Sequence, residues 1–171
     1  MASGLTPVHG RNDRARSETP SNGWRRASRA TPPAASSTTP EEVRIHIDSD
    51  RAIVDARRHA RRLATSAGLR AADLAMVVTA VSELARNALL YAEAGDITVS
   101  LVQQDDKHGV SIVAKDNGPG IADIPQALQD GFSTAGRLGL GLPGVKRLMD
   151  DFEICSAPGM GTTVIARKWK R

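Results

Sequence analysis

The chain has 171 residues, 40% of them hydrophobic but only 3% aromatic, and a formal net charge of +4. These values fit one domain with a core of Ala, Val, Leu and Ile, plus a modest tail. Residues 1–40 carry six Arg against Asp13 and Glu18; removing these from the 23 basic and 19 acidic residues leaves 17 of each. A neutral folded part argues against a nucleic-acid surface.

Cysteine, histidine and hydropathy exclude further classes of protein. Cys155 is the only cysteine, which rules out an internal disulfide and suits a reducing compartment. The four histidines are scattered without ligand spacing, so no zinc site is predicted. No apolar run approaches the roughly eighteen residues of a membrane span, and no signal-peptide pattern is found. We therefore expect a cytoplasmic protein that binds neither membrane nor nucleic acid.

The composition changes near residue 41. Residues 1–40 contain five of the nine prolines and eleven Ser or Thr, with few large apolar side chains. Such a segment cannot bury enough apolar surface to offset the entropy of ordering. We predict a disordered basic tail over 1–40 and a folded domain over 41–171. The run WRRASR at 24–29 leaves a docking or phosphorylation role open for the tail.

A strand and a helix are predicted first in the folded part. Residues 43–48 (VRIHID) alternate with period two, as a half-buried strand does. Residues 48–50 offer a helix N-cap, and the helix runs to about Ala67, where Gly68 ends it. An arginine-rich face points outward, and the residues predicted to point inward are Ile53, Val54, Ala60, Leu63 and Ala64.

A second helix is predicted over 71–92, with Gly95 breaking the pattern after it. The residues of its apolar stripe are Leu74, Val77, Val78, Val81, Ala85 and Ala88.

The rest of the chain predicts mostly strands. Residues 97–103 and 109–116 alternate and are joined by the polar DDKH, which is typical of a hairpin. A short helix at 124–129 and another from about Leu142 to Asp150 precede a closing strand pair, 152–158 and 162–169. Helices on one face of a mixed, mostly antiparallel sheet make a two-layer α/β sandwich.

The run GLGLPG at 139–144 has the spacing G-x-G-x-x-G. A dinucleotide fingerprint must follow a buried strand, but a polar, glycine-broken stretch precedes this run. A P-loop needs Lys and Ser or Thr after its last glycine, and neither follows Gly144 directly. Two readings stay open: a flexible connection, or an anion site formed by the free N–H groups of Gly144 and Val145 at a helix start.

Two further groups of residues suggest chemistry. Glu83 and Asn87 are one helical turn apart on a face predicted to lie opposite the apolar stripe. A carboxylate there can orient an attacking hydroxyl while the amide oxygen binds Mg²⁺, or both side chains are simply solvated. Asp116 begins the turn DNGPG: it is a plain turn residue, or its carboxylate accepts from an amino group while Gly118 and Gly120 clear space for a flat ring such as adenine.

The order of these pieces resembles the Bergerat ATP-binding fold of the GHKL family, which includes histidine kinases, gyrase-type ATPases and small anti-sigma kinases. The resemblance implies that Glu83 is the catalytic base and that Asn87 binds Mg²⁺. It implies that ATP is bound by Asn87, Asp116, Gly118, Gly120, Gly139, Gly141 and Thr162.

Four runs carry a closer resemblance: TAVSELARNALLYA, KDNGPGI, DGFSTAGRLGLGLPGVKRLMDDF and GTTVIARKWKR. They are similar to the RsbT-type switch kinases of the bacterial stressosome, over roughly 41–171. This implies a protein serine/threonine kinase that phosphorylates a STAS-domain antagonist and activates a PP2C-type phosphatase. An RsbW-like anti-sigma factor kinase, or a nucleotide-sensing module with little turnover, is the alternative. The tail over 1–40 and Arg137 depart from the family pattern.

Overall fold

The structure is a computed structural model that describes residues 41–129 and 140–171. The predicted tail over 1–40, together with Arg137 and Gly139, lies outside the described residues, so what was predicted for them stays a prediction. The elements are β1 (Glu42–Ile47), α1 (Asp50–Ser66), α2 (Ala71–Ala92), β2 (Gly95–Gln104), β3 (Lys107–Asp116), α3 (Ile124–Ala127), α4 (Gly141–Leu148), β4 (Asp151–Ser156) and β5 (Thr162–Trp169).

The five described strands form one sheet in the order β1-β2-β3-β5-β4. All four pairings are antiparallel, so the predicted two-layer α/β class is confirmed, although this sheet contains no parallel pair among the described strands. The predicted hairpin is β2–β3. Its strands reach further than predicted because Gln104 pairs with Lys107, which leaves only Asp105 and Asp106 in the turn.

One face of the sheet carries the core. Burial alternates along β2, where Ile97 and Val99 are fully buried and Thr98 between them is half-buried. This alternation is what a sheet covered by helices on one side requires. The largest fully buried side chains come from the sheet and from α1, α2 and α4: Ile47, Leu63, Ile97, Ile112, Val77, Val81, Val99, Val110 and Val145.

Helix α1 begins and ends where the sequence predicts. Ser49 is its N-cap, since the Ser49 hydroxyl accepts a hydrogen bond from the Ala52 N–H at 3.4 Å. Gly68 follows its C-terminus with a φ of +70°. The inward prediction for Val54 is wrong, because this side chain is 60% exposed. Val54 is about 100° around the helix from Ile53, which places it outside the buried arc.

Helix α2 has the predicted bounds, and its predicted stripe is buried except for Leu74, which is half-buried. Burial extends around more of the helix than a single stripe, since Ala80 and Leu84 are also buried. The helix ends at Ala92, and its C-cap residue, Glu93, is in the left-handed conformation with a φ of 62°. Gly95 is instead the first residue of β2.

Among the described residues, α2 is the one helix whose length and apolar composition would suffice to cross a membrane. Eight of its residues are buried in the folded domain, which is also the pattern of a core helix.

A buried charge network lies at the end of β5, and the sequence patterns do not predict it. Lys168 is 3% exposed, and its Nζ lies 3.2 Å from Asp150 Oδ1 and 3.8 Å from Asp73 Oδ1. The same Nζ donates to the Leu148 carbonyl at 2.9 Å. Because a buried cation is costly without partners, these contacts fix the end of α4 and the start of α2 to β5.

Stability at acid pH should depend on Asp150. Burial raises the pKa of the Asp150 carboxyl, but hydrogen bonds from the Trp169 N–H, Lys168 and Arg171 outweigh burial and hold this pKa below its usual value. Such a carboxylate stabilises the fold above its unfolded pKa of about 3.9, and this stabilisation is lost as the pH falls through the folded pKa. We expect Asp150→Asn to lower the free energy of unfolding at neutral pH and to weaken its fall towards acid pH.

The measurement is urea unfolding over a series of pH values from neutral downward. Asp55→Asn is the matched control, because the Asp55 side chain is half exposed and its one ion pair among the described residues is with Arg58, across one turn of α1. A pH dependence in Asp150→Asn equal to that of the wild type would contradict the role given to Asp150.

Candidate active site

Three residues on neighbouring strands form a row at one end of the sheet. Asp116 at the end of β3 is paired with Thr162 at the start of β5, and Thr162 is paired with Ser156 at the end of β4. The next strand adds Gly95, which is paired with Asp116. Antiparallel register therefore brings together residues that lie far apart in sequence.

Asp116 is held by backbone donors. Its Oδ1 accepts hydrogen bonds from the Gly118 N–H at 2.9 Å and from the Thr162 N–H at 3.2 Å. The first is a local turn contact of the kind that Asp favours, and the second joins β3 to β5. Within the described part of the chain, Oδ2 receives no hydrogen bond, so it can accept one from a ligand.

The glycines near Asp116 allow backbone segments to pack closely. A Cβ on Gly118 would lie 2.6 Å from the Ala92 Cβ of α2, and a Cβ on Gly120 would lie 2.0 Å from the Ala157 carbonyl oxygen. Gly120 also has a φ of +72°, which favours glycine. These two positions bring the turn after β3 against α2 and the β4–β5 loop. Their predicted role beside a flat ring stays a prediction.

Ser156 is a site residue that the motif pattern does not reveal. Its hydroxyl donates to the Gly161 carbonyl at 2.7 Å and accepts from the Ile121 N–H at 2.9 Å. The Thr162 hydroxyl lies 3.1 Å from the Ser156 hydroxyl. Ser156 thus ties the turn after Asp116 to the loop before Thr162. Only the strand register, which sequence alone does not give, could have indicated it.

Glu83 lies on the flank of α2 that faces α4. Its side chain is only 12% exposed, so this face of α2, which spacing places opposite the apolar stripe, is covered and not simply solvated. The reason is that α2 is covered on several sides, including the side covered by α4. Glu83 Oε1 accepts from Arg86 Nη1 at 3.1 Å, and Oε2 accepts from the Gly141 N–H at 3.2 Å. Asn87 is half-buried one turn further along α2.

The start of α4 differs from the prediction. The helix begins at Gly141, and the Gly144 N–H donates to the Leu140 carbonyl at 2.9 Å. The prediction of a free N–H on Gly144 is therefore wrong. Pro143 has no N–H, so the donors at this helix start are those of Gly141 and Leu142. The Gly141 donor is the one that meets Glu83.

Helix α2 connects the two parts of the site. Ala92 packs against Gly118 beside Asp116, and Glu83 lies nine residues earlier on the same helix. This separation is about 13 Å along the helix axis. A ligand that spans the two parts would therefore meet an acceptor at one end, and at the other end a carboxylate, an amide and a helix start.

The sequence matches the family described as "Histidine kinase-like ATPase domain" over residues 47–168. It is 50% identical over 129 residues to the serine/threonine-protein kinase RsbT of Bacillus subtilis (strain 168), over 75% of this chain and 96% of that protein. The chain belongs to the histidine kinase-like ATPases, among the RsbT-type serine/threonine kinases. An ATPase domain of this kinase type implies the use of ATP.

Other relatives of this RsbT-type kinase are anti-sigma factors. The Anti-sigma F factor of Caldanaerobacter subterraneus subsp. tengcongensis is 34% identical over 103 residues, which cover 57% of this chain and 71% of that protein. Among solved structures, the RsbU and RsbW domains of a Mycobacterium tuberculosis protein match with a TM-score of 0.54 and 22% identity. That match covers 77% of this chain and 33% of the other, and it concerns the fold alone.

Removal of the Ser156 hydroxyl should loosen the site. Ser156→Ala takes away the donor to the Gly161 carbonyl and the acceptor of the Ile121 N–H. We expect the free energy of unfolding to fall by about 1–3 kcal/mol, because half-buried backbone groups lose their partners. Urea unfolding measures this change. Cys155→Ala is the control, since Cys155 is the exposed neighbour on the same strand, and an equal effect of the two variants would contradict the role of Ser156.

Proposed function

We propose that this chain is an ATP- and Mg²⁺-dependent protein kinase that phosphorylates a serine or threonine of a STAS-domain antagonist. As a partner-switching regulator of bacterial stress signalling, it would also bind and activate a PP2C-type phosphatase. We propose that the folded domain over 41–171 carries this activity in the cytoplasm. Membership of the RsbT-type kinases supports the proposal, and the contact of Glu83 with the start of α4 is the structural observation that carries it.

Adenine would bind at the strand-end part of the site. Asp116 Oδ2 is available there as an acceptor for the exocyclic amino group, and two backbone N–H groups hold the carboxylate in place. Gly118 and Thr162 hold Oδ1 of the same carboxylate, and Gly120 follows in the same turn. The phosphates would extend towards the start of α4, where Gly141 lies, and Gly139 would belong to the same phosphate-binding loop.

The described residues fit a magnesium site with few protein ligands. No cluster of three or more His, Cys, Asp or Glu side chains lies close enough to hold a metal within 41–129 and 140–171. Mg²⁺ in nucleotide sites takes one or two protein oxygens and completes its shell with water and phosphate oxygens. Asn87 offers such an oxygen one turn from Glu83. When bound, the ion would neutralise negative charge on the phosphates.

Glu83 would act as the general base. Its carboxylate would accept the proton of the partner's hydroxyl while that oxygen bonds to the γ-phosphorus and the bond to the β,γ-bridging oxygen breaks. ADP leaves, and the partner carries a phosphoserine or phosphothreonine. Because phosphoryl transfer depends mainly on positioning and charge neutralisation, the rigid placement of Glu83 on α2 suits this role.

The proposal predicts transfer of labelled phosphate from ATP to a STAS-domain protein of the source organism, tested with a purified panel. Glu83→Ala should abolish this transfer because the base is lost, and it should leave ATP affinity intact because adenine binds elsewhere. Transfer is measured by phosphate incorporation and affinity by calorimetry with ATP and Mg²⁺. Transfer by Glu83→Ala at the wild-type rate would refute the base assignment.

Asp116→Asn is the matched variant for the other end of the site. An amide in place of the carboxylate loses charge and acceptor capacity towards an amino group, so ATP affinity should fall by about tenfold or more. The two variants should therefore separate binding from transfer. Equal ATP affinity of Asp116→Asn and the wild type would refute the proposal that adenine binds in this part of the site.

An anti-sigma factor kinase is the second candidate function, favoured by the 34% identity to the Anti-sigma F factor. The two functions share the ATP site and differ in the second partner. We expect the purified chain to retain a PP2C-type phosphatase of the source organism, and to release it when the unphosphorylated STAS protein is added. Retention of a sigma factor in place of the phosphatase would favour the second candidate. Size-exclusion chromatography of the mixtures measures both outcomes.

A further inference from the structure

Arg86 lies within one turn of Glu83 on α2 and donates a hydrogen bond to it. Arg86 Nη1 is 3.1 Å from Glu83 Oε1. The arginine side chain is 52% exposed, whereas that of Glu83 is 12% exposed. Because the Arg86 guanidinium is half exposed, solvent screens this pair, and the pair contributes little to folding. The main effect of this pair is therefore on the direction of the carboxylate.

Glu83 has a second donor on a different element. The Gly141 N–H at the start of α4 donates to Oε2, so each carboxylate oxygen has one donor from the protein. The helix start carries partial positive charge, which favours an anion at this position. In the structure that anion is the Glu83 carboxylate itself.

A nucleotide phosphate at the start of α4 would compete with Glu83 for the Gly141 N–H. Two anions do not share a single donor favourably, because their mutual repulsion opposes it. Glu83 would then keep only the hydrogen bond from Arg86. That bond does not depend on α4, since both residues belong to α2.

We infer that Arg86 is a positioning residue, which holds Glu83 in its working orientation when a phosphate occupies the start of α4. The inference rests on the proposed role of Glu83 as the base. Arg86 acts through Glu83 and does not contact the nucleotide.

The test compares Arg86→Ala and Arg86→Lys with the wild type in two assays. The first is phosphate transfer to the STAS-domain protein, and the second is hydrolysis of ATP alone, in which water replaces the protein hydroxyl. We expect kcat of Arg86→Ala to fall about tenfold to a hundredfold in each assay, because a misdirected base loses alignment. KM for ATP and the affinities for ATP and ADP should stay within about twofold of the wild type, since binding groups are untouched.

Two variants separate positioning from a structural effect. Arg86→Lys keeps the positive charge and one donor at this position, so it should recover part of the lost kcat. Arg58→Ala removes an arginine from an equivalent pair on the solvent-facing side of α1. There Arg58 lies 3.1 Å from Asp55, three residues earlier in the helix. Its kcat should equal that of the wild type. Thermal unfolding of each variant confirms that the domain is folded.

Two results would overturn the inference. A kcat of Arg86→Ala equal to that of the wild type would show that Arg86 does not position Glu83. A loss of ATP affinity without loss of ADP affinity would place Arg86 on the γ-phosphate instead. A different result would refute the proposed function, namely a wild-type protein that transfers no phosphate to any STAS protein of the panel. In that case the hydrolysis assay still decides the role of Arg86.

Discussion

Burial of α2 is the constraint on which the other features depend. The helix packs into the core through residues on several sides, with Val77 and Val81 fully buried. Because it cannot shift without disturbing the core, it sets the distance between the strand-end residues and the start of α4. Gly118 packs against Ala92, the last residue of this helix, and Glu83 lies nine residues before that end. The candidate site, which is assembled from separate segments, thereby obtains a rigid frame.

The regular elements were accessible from the sequence wherever one period dominated. The alternation in β1 and the bounds of α2 agree with the prediction because each depends on local spacing and on residues that end the element. The prediction is wrong or incomplete where packing between elements decides whether a side chain is buried. Its apolar character predicts Val54 inside, yet this side chain is 60% exposed. Helical spacing predicts Glu83 opposite the apolar stripe, where a solvated side chain is one alternative, yet its side chain is only 12% exposed and contacts the start of α4. Neither outcome follows from a pattern within one helix.

The candidate site shows the same division between local and long-range information. Motif order identifies Glu83, Asn87, Asp116 and Thr162 as a group, because a family keeps its chemical residues in sequence order. The residues that support them are found only in three dimensions. Ser156 contacts Thr162 because of the strand register. Lys168 pairs with Asp73, although more than half of the domain's sequence separates them. Arg86 is three residues from Glu83 in sequence, but the role inferred for it depends on the Gly141 N–H at the other carboxylate oxygen. Supporting contacts of this kind have no fixed residue type, so composition and spacing carry little signal for them.

The topology also affects how the molecule reaches its native state. Strand β1 pairs with β2 after two intervening helices, and β3 pairs with β5 after α3, α4 and β4. The hydrogen bond from Thr162 to Asp116 closes a loop of 46 residues. Such closures are entropically costly and slow, so local helices and the β2–β3 hairpin can form well before the row of strand ends is complete. We therefore expect the row of strand ends, where ATP is proposed to bind, to form late in folding, after segments 46 residues apart have joined.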